Sequence, residues 1–95
     1  MKLVQPTDFN LLEAFDQYGR NVAANLAIRL DRDRGYINTR MPHLEDYHLI
    51  ESIGPAANVG LYELTDRGKT VLEHREKYQS LGYDEFEALV DESIE

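Results

Sequence analysis

The chain has 95 residues and no cysteine, so it is one domain with a single small core, and disulfides, thiolate metal sites and cysteine nucleophiles are excluded. Ten basic and eighteen acidic residues give a formal charge of −8, which taken whole argues against a nucleic-acid partner. No apolar run approaches the ~18 residues of a membrane span, and the first residues lack a signal peptide's apolar core, so a cytoplasmic protein with no membrane partner is expected.

The charge is unevenly spread. Residues 20–43 hold five arginines against two aspartates, whereas residues 44–95 hold four bases against thirteen acids. A basic middle inside an acidic chain fits an oriented DNA-binding face. Seven arginines to three lysines among so many acids is also a balance common in proteins of salt-loving archaea. In such a cell the Debye length is ~3 Å or less, which leaves short-range hydrogen bonds and shape to govern binding.

In chain order, residues 1–6 are expected to form a flexible tail, because Gln5-Pro6 disfavours helix. Thr7 is a good N-cap, Asp8 sits in the first turn where the helix dipole favours it, and Leu11, Leu12, Phe15 and Tyr18 make an inward stripe. Gly19 ends that helix. Arg20-Asn21-Val22 is a connector with room for a one- or two-residue strand, and Asn21 is placed to cap the next helix.

Ala23, Leu26, Ala27 and Leu30 recur at helical spacing and predict a helix over about 22–30. Asp31 to Gly35 breaks the apolar period, and Ile37, Met41 and Leu44 resume it in a helix starting near Asp33, capped by Asp31 or Asp33. Two helices joined by so short a turn form a helix-turn-helix. On the second of them Gly35, Thr39, His43 and Asp46 point away from the apolar stripe, with Tyr36, Asn38 and Arg40 on the flanks.

That outward set is what a recognition helix, here about residues 33–47, presents to the major groove of double-stranded DNA. Thr and Asn bond base edges, Arg forks onto guanine, and Tyr reaches a phosphate. Candidate contacts are therefore Arg34, Tyr36, Asn38, Thr39, Arg40 and His43, with Arg29 and Arg32 on phosphates. Pro42 lies on the outward side, where the helix either bends and continues, the favoured reading, or effectively begins after an irregular turn.

Leu49 to Ile53 and Leu61 to Leu64 predict two strands around the turn-rich Gly54-Pro55-Ala56-Ala57-Asn58-Val59-Gly60. This hairpin reads equally as a merely structural one or as a wing that meets DNA, in which case its tip offers only backbone N–H groups and Asn58. Thr65 caps a further helix carrying Val71, Leu72, Arg75 and Tyr78, in which Gly68 permits close approach of a neighbour, and Gly82 ends the segment. Asp84 is the N-cap of a last helix whose stripe is Phe86, Leu89, Val90 and Ile94, with an acidic back. Such a helix either completes the core or forms a homodimer surface. The expected fold is mainly α with a small β-hairpin: a winged helix-turn-helix over 7–80 with an extra C-terminal helix over 81–95.

Leu44-Glu45-Asp46-Tyr47-His48-Leu49-Ile50, then Gly60-Leu61-Tyr62-Glu63-Leu64-Thr65-Asp66-Arg67-Gly68, carry a family likeness. Over about residues 8–75 the chain resembles the haloarchaeal winged-helix proteins related to halophage repressors, with their L-x-D-Y-x-L-[IV] and closing GLY-x-LT-x-x-G patterns. His48 stands where that family usually has glycine, which puts the helix C-cap there in question. The resemblance implies a repressor-like DNA-binding regulator, acting as a dimer on a palindrome-like operator.

Two other classes stand beside that reading. One is a winged helix used only for protein–protein contact, with the basic middle docking an acidic partner. The other, an enzyme, finds no support: His43 and His48 are five apart and face different ways, and there is no Gly-rich phosphate loop and no G-x-S-x-G. No catalytic residue, metal or cofactor is expected. Tyr47 is expected to pack under the wing.

Overall fold

In the computed structural model residues 1–56 and 60–94 are described. The elements are α1 (Thr7–Tyr18), α2 (Ala23–Leu30), α3 (Arg34–Asp46), β1 (Ile50–Ser52), β2 (Tyr62–Leu64), α4 (Asp66–Glu73), a 3-10 turn (Arg75–Gln79) and α5 (Tyr83–Ile94). The strands pair antiparallel, with Ile50 opposite Leu64 and Ser52 opposite Tyr62. Asn21 adds a third edge to the sheet by exchanging both backbone bonds with Tyr62, at 2.9 and 3.0 Å. The short strand expected in the connector is therefore present, and it anchors the hairpin to the start of α2.

Each helix contributes buried apolar residues to one core, although Tyr18, expected in the inward stripe of α1, and Ile28 of α2 are exposed. Leu11, Leu12 and Phe15 of α1, Leu26 of α2, Ile37, Met41 and Leu44 of α3, and Val71 of α4 are all buried there. Phe86 and Val90 of α5 join them with no exposure, so that part of the stripe expected to be either core or dimer surface is spent within the chain, while Leu89 is half-buried. Tyr83 and Ile94 remain exposed on that helix. Tyr78 packs edge-on against Phe9 and Phe86, with ring centroids 5.4 and 5.0 Å away.

Several local expectations are corrected. Residues 1–6 are no loose tail: Met1 and Leu3 are buried, and the Tyr78 hydroxyl both accepts from the Leu3 N–H (2.6 Å) and donates to its carbonyl (3.1 Å). Burial raises the Tyr78 pKa above its ordinary value, against the opposing pull of the Leu3 hydrogen bond. Thr7 does not cap α1; Pro6 holds the cap position and Thr7 lies inside the helix. The entry is closed instead by a reciprocal pair, Asp8 N–H to the Val4 carbonyl (2.8 Å) and Val4 N–H to Asp8 Oδ2 (2.7 Å).

Asn21 is likewise committed to the sheet, and Val22 holds the α2 cap position without a side-chain bond. Asp84 lies within the first turn of α5, whose entry is closed by the Glu85 carboxylate accepting from Gly82 N–H. The segment after Thr65 is not one long helix, because it tightens into the 3-10 turn at Arg75. Tyr47 is half-buried against the core, and its hydroxyl accepts from the backbone N–H of Lys2 at 3.1 Å.

Other local signals are met as read. Gly19 ends α1 at φ +81, and Thr65 Oγ1 caps α4 through Gly68 N–H at 3.0 Å. His48, where the cap was in question, adopts φ +62, the left-handed conformation natural to glycine, and its carbonyl accepts from the Thr65 hydroxyl at 2.6 Å. Gly68 lies so close to the chain entering β1 that a Cβ there would fall 2.2 Å from the Leu49 carbonyl oxygen. Gly68→Ala must push backbone apart, so it is expected to cost ~1–3 kcal/mol in urea unfolding although alanine is the better helix former.

Candidate nucleic-acid interface

The turn between α2 and α3 is made by three residues of opposite duty. Asp31 takes the left-handed conformation (φ +53) that ends α2, and the next N–H, of Arg32, turns back to the Ala27 carbonyl at 2.9 Å. Asp33 then caps α3, its Oδ2 accepting the Tyr36 N–H at 2.9 Å. Gly35 leaves room for that cap, since a Cβ there would sit 3.0 Å from the same oxygen. The sequence DRDRG is thus a C-cap, a link and an N-cap in series.

α3 runs unbroken through Pro42. Ile37, Met41 and Leu44 face inward, while Gly35, Thr39, Pro42, His43 and Asp46 are all exposed. The orientation expected from the apolar spacing therefore holds. The buried sides of α1 and α2 share one core with that of α3, and the β1–β2 hairpin follows directly from its C-terminal end. A helix, a second helix set by a tight turn, a third helix with a polar outer face and a hairpin beside it define one architecture. The chain has the winged helix-turn-helix fold.

Comparison with solved structures agrees. Over 93% of its length the chain matches a MepR-like protein crystallised with pseudoligands, with a TM-score of 0.62 and 29% identity, covering 70% of that chain. IdeR from T. acidophilum matches over 97% of this chain and 55% of its own, with a TM-score of 0.54 and 13% identity, a likeness of fold. No protein-family model matches the sequence, and no curated protein sequence matches it.

Within this winged helix the arginines of residues 20–43 do not form one patch. Arg40 turns back onto α1, where Nε and Nη2 bond the two oxygens of Asp8 at 3.0 and 2.8 Å. Asp8 has no solvent exposure and the Arg40 side chain only 14%. The hydrogen bond to Asp8 raises the Arg40 pKa above its already high ordinary value, partly offset by burial. Arg40 is thus a structural partner and is not free to fork onto guanine, a correction to its place among the base-reading residues. The Asp8 partner was missed because the two positions lie 32 residues apart and no local period links them.

Arg29 lays its guanidinium over the Tyr18 ring at 3.8 Å, in the groove between α1 and α2. Arg20 lies 3.7 Å from Glu63 of β2. Arg32 and Arg34 line one cleft with Ala24, Ala27, Ile28 and Asp31, and among the described residues neither arginine lies within 4 Å of a carboxylate as an ion pair. Tyr36, Asn38, Thr39 and His43 all lie exposed on α3. Asn58, the candidate at the wing tip, lies outside the described residues.

Among the described residues no three or more His, Asp or Glu side chains converge as metal ligands. No described helix is long and apolar enough to cross a membrane. What the site offers chemically is a convex helix face with hydrogen-bonding groups and two unpaired cations at its edge.

The buried pair gives a direct test. Asp8→Ala strands a guanidinium, and Arg40→Ala strands a carboxylate whose remaining donor is the Val4 N–H. Each is expected to cost ~3 kcal/mol or more in denaturant unfolding, and the double variant less than the sum. A loss within ~0.5 kcal/mol for Arg40→Ala, the size of an ordinary surface change, would contradict the pairing.

Proposed function

We propose that the protein is a sequence-specific, repressor-like transcriptional regulator that places α3 in the major groove of double-stranded DNA. The observation that carries the reading is the rotation of α3: its apolar residues are consumed by the core, and the polar side bearing Thr39 and His43 is left clear. The winged-helix architecture shared with the MepR-like protein and IdeR supports it. Tyr36, Asn38, Thr39 and His43 contact the groove, while Arg32 and Arg34 meet phosphates and Arg29, held over the Tyr18 ring in a separate groove, meets a further one. Arg40 contributes by holding α3 in place.

Binding to a random duplex pool, measured from low to multimolar salt, tests the reading. Affinity should fall with salt by a log–log slope of about −0.9 per phosphate neutralised, and Arg32→Ala and Arg34→Ala should each flatten that slope by about 1. Failure to bind any duplex at any salt, together with a tight complex to another protein, would select the protein–protein alternative.

The reading extends to a homodimer through α5. With Phe86 and Val90 inside the core, the surface for a second copy is the side carrying Tyr83 and Ile94, three helical turns apart and both exposed. Light scattering should give twice the chain mass for the native protein and the single mass for Ile94→Glu. A native monomer at working concentration would remove the dimer from the reading.

A further inference from the structure

The centre of the exposed face of α3, at Thr39 and Pro42, is short of hydrogen-bond donors, with Tyr36 and Asn38 on its flanks. The Arg40 guanidinium is spent on Asp8, and the Thr39 hydroxyl donates its proton to the Tyr36 carbonyl at 2.6 Å. Thr39 therefore offers the groove its methyl group and the remaining lone pairs of its oxygen. One turn along the same exposed face, Pro42 offers an apolar ring. Having no N–H, Pro42 also leaves the Asn38 carbonyl without its usual helical donor. Asp46, exposed beyond it, adds only acceptors. Arg32 and Arg34 lie off this face, in the cleft against α2.

Major-groove edges discriminate strongly between such a surface and its opposite. Guanine presents two acceptors, O6 and N7, and is normally met by a forked donor such as Arg. An A·T pair presents the adenine N6 amino donor close to the thymine 5-methyl group. Apolar groups beside acceptor oxygens match that pair and mismatch guanine. The Asn38 side-chain amide, on the flank, completes the match, since Asn pairs bidentately with adenine N6 and N7. His43 donates or accepts according to its tautomer and so fits either edge.

We propose that the centre of the α3 footprint reads A·T pairs, with the Thr39 methyl and the Pro42 ring packed on thymine methyl groups and Asn38 on adenine. This rests on the DNA-binding reading above and assigns Pro42, an unfavourable residue for a helix interior, a role in specificity.

The test uses the full chain and the duplex selected from a random pool. Its half-site centre should contain thymine, and replacing those thymines by uracil, which removes only the 5-methyl group, should weaken binding about fourfold per methyl. Thr39→Ser and Pro42→Ala should each reduce that thymine-to-uracil difference. Both variants are expected to fold, Pro42→Ala because it restores a helical N–H and a better helix former. A selected centre of G·C pairs, or unchanged affinity on uracil substitution, overturns the proposal while leaving DNA binding intact. So does a full thymine-to-uracil difference in both variants. Absence of binding to any duplex overturns the DNA-binding reading and this proposal with it.

Discussion

A carboxylate with no solvent exposure, Asp8, holds α1, the N-terminal segment and α3 in one arrangement. Removing two charges from water costs several kcal/mol per ion, and the cost is offset only when geometry is good and the remaining lone pairs are filled. Both conditions are met: Arg40 binds through two nitrogens and the Val4 N–H takes a further place on Oδ2. A pair of this kind tolerates little rotation of α3 about its axis. The apolar contacts of Ile37, Met41 and Leu44 choose which side of the helix turns inward, and the ion pair fixes its angle.

The same pair changes how the chain's charge should be read. A net −8 with an arginine-rich middle invites a picture of a basic face, but the fold distributes those arginines among a buried aspartate, an aromatic ring, a strand glutamate and one cleft. On the proposed reading the electrostatic attraction to phosphate rests mainly on Arg32 and Arg34, and the groove contacts are close to uncharged. Such a surface depends on short-range complementarity, which multimolar salt screens far less than a long-range field.

The wing and α5 show the limits of local pattern in a different way. Alternation at Leu61–Leu64 and the turn-rich stretch before it were enough to place a hairpin, and Asn21 joined it through backbone bonds that no side-chain pattern announces. The apolar stripe of α5 was equally visible, but a stripe states only that a surface is to be covered. That Phe86 and Val90 meet the protein's own core depends on the Tyr78 region reaching across to Phe9 and Leu3.

What the sequence determined by itself was carried by short-range periodicity and by the less ambiguous caps: the approximate helices, the tight turn at DRDRG, the apolar side of α3, the cap at Thr65 and the close approach at Gly68, though not the caps at Thr7, Asn21 and Asp84. These follow from 3.6-residue spacing and from φ values that few residues adopt, so a window of a dozen residues contains the information. Only the tertiary structure decided that Asp8 and Arg40 are partners, that Met1 and Leu3 are core residues, and that the arginines disperse. Each of those outcomes depends on contacts between positions far apart in the chain, where burial and charge pairing act through space and leave no period in the sequence to read.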